Sequence, residues 1–405
     1  MRVIVIGGGA SGQIAAAEAA ANGHRVLLLE QNEKLGKKVY ISGKGRCNLT
    51  NSAPRSEFMQ NIVHNPKFLY SALSAFDNGS ICEIIERNGV PLKTERGGRV
   101  FPVSDKSSDV LKALEKYVRN AGVEIRLNTA VRDVLYADGR VTGVRTDSDE
   151  LEADAVILAT GGITYPQTGS TGDGYRFAQK AGHTVRKPVP SLVALTTAES
   201  WPFALSGLTL KNVRLTARKN GERIYREQGE MLLTHFGISG PLVLTLSALI
   251  ADEPAGTEVL IDLKPALDEK TLDNRLIRDL EENRQKTVKG AFHSLLPASL
   301  LDVILDLAGI RGEDPVSAFK KESRKRLVQM LKELPLTVTG TRPPAEAIIT
   351  RGGIPVTEVN SKTMESRLMK GLYFSGEILD VDALTGGFNL QIAWSTGALA
   401  GRSIQ

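Results

Sequence analysis

The chain opens on an apolar run, Val3 to Ile6, that breaks at a cluster of glycines and continues as a helical pattern from Ser11 to Asn22, closed by Gly23. A second buried run, Val26 to Glu30, follows at once, which predicts a β-α-β start. From Lys112 to Asn120 the spacing is again helical, up to Gly122. Short β-rich runs come next: Val123 to Leu127, Val131 to Tyr136, Val141 to Thr146 and Ala155 to Ala159, with Asp138-Gly139 predicting a hairpin turn. Beyond Pro188 and Pro190 the pattern changes to alternating strands such as Val213 to Ala217 and Arg223 to Glu227, joined at Asn220-Gly221. Between Asp268 and Lys332, Leu, Ile and Val recur at spacings of three and four, with turns at Pro297, Gly309 and Pro315, so a helical subdomain is expected. After Pro343-Pro344 a strand, Leu372 to Ser375, and a last helix, about Leu390 to Gly401, return to the character of the N-terminal part. The expected domains are therefore 1–188 with 343–405 (discontinuous), an inserted β domain at 189–266 with 333–342, and helices at 267–332.

Length and composition narrow the function. At 405 residues the chain should hold two or three domains, and 41% hydrophobic with 24% charged residues is the balance of a globular protein with a sizeable core. The net charge of +5, with a pI near 9.0, mildly favours anionic partners without marking a nucleic-acid binder. Only Cys47 and Cys82 are present, in no Cys-x-x-Cys or Cys/His pattern, so no disulfide scaffold, metal site or dithiol centre is expected. The four apolar residues after Arg2 are too few for a signal peptide, and the longest apolar stretch, Pro241 to Ala251, is too short to span a bilayer. A cytoplasmic protein without a membrane span is expected. Glycine is in excess, with 39 residues, and the surplus is clustered.

Those clusters carry the chemistry. Gly7, Gly9 and Gly12 form G-x-G-x-x-G between a buried strand and a helix, and Glu30 ends the next strand. The glycines allow a tight turn and close approach to a pyrophosphate, the helix start at Ala10 and Ser11 faces the anion, and the carboxylate accepts a ribose hydroxyl. Ser42 to Asn48, with Gly43, Gly45, Arg46, Cys47 and Asn48, could lay backbone N–H groups along a phosphate or a flavin edge, and it is not a Walker loop. Thr160 and Gly161 end one strand, and Gly376-Glu377 end another, where Glu377 suits the hydroxyls of a polyol. FAD has such a polyol, ribitol, and NAD does not.

These segments resemble the two-dinucleotide-fold FAD proteins, and more narrowly the bacterial flavoproteins that include aminoacetone oxidase and a bile-acid dehydro-reductase. The resemblance covers nearly the whole chain and rests on SGKGRCNLTN at 42–51, ATGGITYPQTGSTGDGY at 159–175, THFGISGP at 234–241, TMES at 363–366 and GLYFSGEILDVDALTGGFNLQ at 371–391. It implies an α/β fold, with a Rossmann-like FAD-binding domain carrying an inserted β-barrel-like domain and a small helical domain. It further implies that Gly7, Gly9, Gly12, Glu30, Val131, Gly161 and Glu377 bind FAD, with Asn389, Leu390 and Gln391 at the flavin ring. Lys44 stands where the family often has glycine, Ala383 replaces the usual glycine before Leu384, and Phe388 stands where tyrosine is common.

Gly386, Gly387, Phe388 and Asn389 precede the last helix, so its first N–H groups are expected at the flavin N1 and C2 carbonyl. The catalytic candidates are His235, as a general acid, and Arg46 and Arg99, as anion-binding groups; Cys47 reads as packing, and the run Lys320 to Arg326 as a solvated helix face. The leading expectation is an oxidoreductase with non-covalent FAD, exchanging a hydride with a small organic substrate. NAD(P)H or oxygen would be a transient partner, because no second G-x-G-x-x-G follows a strand. A tRNA-modifying flavoprotein and a flavin-bearing regulator without turnover are the alternatives; nucleic acid is not the expected partner.

Overall fold

The computed structural model describes all residues, 1–405. The chain divides into two compact units, Met1–Ser191 with Pro343–Gln405, and Leu192–Arg342. The first unit is built on a five-stranded parallel sheet in the order Leu372–Phe374, Ala155–Leu158, Arg2–Ile6, Arg25–Leu29, Glu124–Arg126. Val3 pairs with Ala155 and Val26, and Ile157 with Tyr373, so a strand from the C-terminal segment lies in the same sheet as the N-terminus. Val, Ile and Leu fill the central strands because both faces of a parallel sheet are covered.

Two helices cover one face. The alanine-rich helix Ala10–Ala21 follows the first strand, and the helix Phe388–Arg402 lies against it. A Cβ on Gly397 would stand 2.3 Å from the Ser11 carbonyl oxygen, and one on Gly401 would stand 2.3 Å from that of Ala15. Two glycines four apart thus let the helix backbones touch, and any side chain there would push the helices apart. Asp138 (φ 50°) and Gly139 (φ 72°) form the tight turn between the antiparallel strands Val131–Ala137 and Arg140–Thr146. The helix expected from Lys112 begins earlier, at Ser107, because Ser107 and Asp109 extend its first turn. At the edge of this unit Arg186–Ser191 pairs antiparallel with Ile349–Gly353; Pro188 and Pro190 fit there because an edge strand need not donate at every position.

The second unit holds a closed six-stranded barrel of Leu195–Thr197, Gly237–Ser239, Glu222–Thr234, Thr209–Lys219, Glu258–Asp262 and Leu334–Thr341. The helices between Glu269 and Lys332 share one core with it, in which Leu215, Ile261, Leu272, Ile304 and Leu331 are buried together. The apolar stretch from Pro241 is a buried nine-residue helix, Pro241–Leu249. No helix is long and apolar enough to cross a membrane. Within the basic run, Arg324 pairs with Asp273 at 2.6 Å and Arg326 donates to the Ala308 carbonyl, so part of it serves packing.

Candidate functional site

Three of the glycine turns read from the sequence, those after Ile6, Leu158 and Phe374, come together because each follows a strand of one parallel sheet, and such strands present their carboxyl ends along a single edge. At the first turn, Gly7 has φ 103°, and a Cβ there would stand 2.5 Å from the Ala159 carbonyl oxygen. A Cβ on Gly12 would stand 1.8 Å from the Gly7 oxygen, so the helix sits directly on the turn. Gly9 differs: nothing lies within 4 Å of where its Cβ would be. The first intrahelical bond runs from Gln13 N to Gly9 O, so the N–H groups of the opening turn face that open side.

Glu30 is buried and closes the neighbouring loop. Its Oε2 accepts from Gly8 N at 2.8 Å, and its Oε1 accepts from Asn32 N at 2.8 Å and Asn32 Nδ2 at 2.6 Å. A carboxylate accepts about four hydrogen bonds, which leaves room on Oε2 for one more donor. Thr129 N donates to the Glu30 carbonyl oxygen, which brings the start of the strand at Val131 beside this acid.

Residues 37–48 are not the open loop that glycine content suggested. A helix runs from Lys37 and breaks at Ser42; Gly43 (φ 57°), Lys44 (φ 59°) and Cys47 (φ 58°) are left-handed. Lys44 therefore adopts a conformation natural to glycine. Cys47 is fully buried, and burial pushes its thiol up to about 12, outweighing the Ser42 hydrogen bond. It is a packing residue. Arg46 pairs with Glu95 and with Asp105 (2.6 Å), and its guanidinium lies 4.1 Å from the Phe101 ring centre. Arg99 shares that network, 3.8 Å from Glu95 and donating to the Arg96 carbonyl. Arg46 and Arg99 thus meet around Glu95, which serves as their common counter-ion. His235 lies in an exposed turn of the second unit with its ring edge-on to Phe236, so neither unit by itself gathers the three catalytic candidates.

At the opposite end of the edge, Glu377 follows the strand Leu372–Phe374. Its Oε1 accepts from Thr350 N (2.7 Å) and Thr164 Oγ1 (3.0 Å), while Lys38 Nζ reaches both carboxylate oxygens, at 2.9 and 2.6 Å. Sequence reasoning missed Lys38, Thr164 and Thr350. A Cβ on Gly162 would meet the Thr350 Oγ1 at 2.1 Å, and one on Gly161 would meet Ser170 Oγ at 2.8 Å, so this turn needs its glycines for packing. The neighbouring Gly376 would place a Cβ 2.5 Å from Ser11 Oγ, and Ser11 Oγ donates to the Ser375 carbonyl.

The last helix starts after Gly386 (φ 127°) and Gly387 (φ 95°). The Asn389 carboxamide accepts from Ala383 N (2.9 Å) and donates to Ala383 O (2.7 Å), fixing the preceding loop. The Gln391 side chain is fully buried, accepting from Thr50 Oγ1 and donating to Phe76 O and Ser395 Oγ. Leu390 packs against a core that includes Ile14 and Trp394. The side chains of all three are therefore spent inside the protein, and backbone N–H groups are what this helix start can offer a ligand. With its amide oxygen turned to the helix, Asn48 accepts from Gly387 N at 3.0 Å. Phe388 is buried edge-on to Phe58 at 4.9 Å, an environment that suits phenylalanine without a hydroxyl.

This edge fits a ligand rich in oxygens. Four buried polar atoms of the first unit have no hydrogen-bond partner: Gln13 Oε1, Thr160 Oγ1, Tyr175 OH and Ser375 Oγ. Gln13 follows the first glycine turn, and Thr160 and Ser375 end two of the sheet strands. Tyr175, whose phenol burial and then the charges of Glu377 and Asp380 push upward, lies near Glu377. Buried groups of this kind are uncommon in folded proteins, and a bound partner is one of the reasons for them.

Fold and edge define a Rossmann-type flavoprotein oxidoreductase. The chain belongs to the HI0933-like protein Rossmann domain family, whose model matches residues 1–403. It is 36% identical to a 3-dehydro-bile acid delta(4,6)-reductase of Clostridium scindens, over 99% of this chain and 98% of that protein. It is 32% identical to a ribosomal RNA dihydrouridine synthase of Haemophilus influenzae, again over 99% and 98%. Among solved structures, the 3-ketosteroid-delta4-(5alpha)-dehydrogenase of Rhodococcus jostii RHA1 superposes with a TM-score of 0.51 at 16% identity, over 99% of this chain and 95% of that one, a likeness of fold.

Proposed function

We propose that the first unit binds FAD non-covalently along the carboxyl edge of its sheet, and that the enzyme reduces a carbon–carbon double bond conjugated to a carbonyl in a small organic substrate. The observation that carries the cofactor reading is the placement of Glu30 and Glu377 at one edge, with the strand order putting them three strands apart. At ~4.8 Å per strand this is roughly 14 Å, the reach of a pyrophosphate-bridged dinucleotide and more than FMN requires. In this reading the turn Gly7–Gly12, with Ala10 and Ser11, holds the pyrophosphate, and Glu30 the adenosine ribose. The backbone at Val131 lies beside the ribose; Thr160, Gly161, Gly376 and Glu377 line the ribitol; Gly43, Gly45 and Asn48 flank the ring together with the helix start at Gly387 and Asn389. When bound, the flavin supplies hydride transfer. The protein's share is to orient the ring and, through amides at a helix start, to favour negative charge there.

The substrate class is drawn from two relatives that match over nearly their full length. A delta(4,6)-reductase of a 3-oxo compound and a dihydrouridine synthase both saturate a double bond conjugated to a carbonyl. NADH or NADPH would bind transiently as reductant. Arg46 and Arg99, held by Glu95, serve the packing of the first unit in this reading. The test is anaerobic: the flavin released by heat is identified, the holoenzyme is reduced with NADH or NADPH, and steroidal 4-en-3-ones are added as acceptors. FAD that is reduced and then reoxidised by an enone supports the reading; FMN, no flavin, or reoxidation by oxygen alone overturns it.

A second reading, in which the conjugated bond belongs to a uracil of RNA, is favoured by the 32% identity to the Haemophilus influenzae synthase. Formation of dihydrouridine in ribosomal RNA, with no turnover of small enones, would select it.

A further inference from the structure

Lys38 grips a carboxylate of the proposed cofactor edge, that of Glu377. It lies on the short helix that starts after Gly36, and Gly36 N donates to Gly8 O at 2.9 Å, which ties that helix to the first glycine turn. Its ammonium bridges both oxygens of Glu377, at 2.6 and 2.9 Å, and donates to Thr164 Oγ1 at 2.7 Å. Both side chains are largely shielded, Lys38 at 25% and Glu377 at 20% exposure. Thr164 and Thr350 are fully buried beneath them, and Thr350 Oγ1 in turn accepts from Ile163 N at 2.9 Å. The pair thus stands on a floor with no freedom to relax.

Resting on the FAD reading, we infer that Lys38 is a cofactor-positioning residue: it holds Glu377 in the one orientation that presents Oε2 to the polyol, and its charge lies beside the flavin. The hydrogen-bond count supports this. Oε1 takes three donors, from Thr350, Thr164 and Lys38, and is saturated, whereas Oε2 takes only Lys38 and keeps an acceptor position. Without Lys38 the carboxylate loses the one donor that grips both of its oxygens, and Oε2 is free to turn away from the polyol. A fixed cation near the ring also favours the reduced, more negative flavin, so its loss lowers the reduction potential.

The test compares the unaltered protein with Lys38→Met, Lys38→Arg, Glu377→Gln and the double variant Lys38→Met/Glu377→Gln. FAD affinity is read by titrating apoprotein, and the midpoint potential by dye equilibration. Lys38→Met should weaken FAD about tenfold, the equivalent of one hydrogen bond to a charged group, and lower the potential. Lys38→Arg should recover most of both, and the double variant should lose little more than Glu377→Gln alone, because the two residues act as one unit. Wild-type affinity and potential in Lys38→Met, or losses that simply add in the double variant, would overturn the inference. Should Lys38→Met fail to fold, the affinity and the potential of Lys38→Gln decide it in the same way. If the unaltered protein takes up no FAD, the cofactor reading has failed; if it binds FAD and Lys38 proves indifferent, only the role of Lys38 has.

Discussion

Gly387 rests against Thr50 so closely that a Cβ on it would stand 2.4 Å from both the carbonyl carbon and the carbonyl oxygen of Thr50. The backbone of the last helix start is thereby fixed to the strand Thr50–Asn51, and Gly387 also needs φ 95°. A glycine next to a proposed flavin is thus required by the fold itself.

Gly387→Ala should therefore destabilise the apoprotein, by about 2 kcal/mol or more for backbone overlap plus a left-handed non-glycine residue. Denaturant unfolding without flavin reads this directly. An unchanged midpoint would mean that the close packing on Thr50 is not real.

A second prediction concerns pH. His183 is buried, with Nδ1 2.9 Å from Glu358 Oε2 and Nε2 2.7 Å from Ser366 Oγ. Ser366 Oγ already accepts from Leu368 N and Met369 N, so it donates to the imidazole and has no lone pair left to act as a nucleophile, despite the Ser-His-Glu order. Burial holds His183 below its ordinary 6.5, against the pull of Glu358. Below pH 6.5 the unfolded chain thus binds a proton that the folded chain refuses, and stability falls with acidification until the depressed folded value is passed. Glu358 acts in the same direction further down: burial raises it, but bonds from Thr184 and His183 hold it net below 4.5, so its contribution is lost as it protonates. Unfolding midpoints of the protein and of His183→Gln between pH 7 and 5 should diverge, the variant having the shallower slope; parallel slopes would refute the assignment.

Thiol chemistry gives a third. Burial pushes Cys47 up to about 12 and Cys82 up to about 11, the latter helped by Glu86 and Asp77. Neither should be alkylated by iodoacetamide near neutral pH until the protein unfolds, since the thiolate is the reactive form. Mass spectrometry showing a labelled Cys47 in the folded protein would contradict its burial.

The parts of this edge that are legible in sequence are those written in glycine and strand ends. Gly7, Gly9 and Gly12, Glu30, Gly161 and Gly376-Glu377 each follow an apolar run, and one parallel sheet then collects them. What could not be read is pairing over distance. Lys38 and Glu377 are separated by 339 positions, and a lysine doublet carries no local signal. Gly397 and Gly401 are hidden in a helix whose alanines look ordinary until the N-terminal helix is laid against them. The 42–48 segment misleads because its glycines end a helix and serve a turn. The side chains of Asn389 and Gln391 sit at the expected place in the chain, but local loops and Thr50 claim them. Barrel closure, Leu195 beside Thr341, likewise depends on a pairing that no local pattern records.

Gly9 gives the most direct measurement. Its φ of −75° is open to any residue and nothing lies within 4 Å of its absent Cβ, so alanine there costs only the preference of a helix N-cap for glycine over alanine, about 1 kcal/mol. If a pyrophosphate lies on that turn, Gly9→Ala should leave the apoprotein folded, its unfolding midpoint lowered only by the cost of the altered cap, while FAD affinity, titrated on the same preparation, falls by about tenfold or more. Undiminished FAD binding by a stably folded Gly9→Ala would show that the cofactor does not lie on this turn, and would contradict the account at its centre.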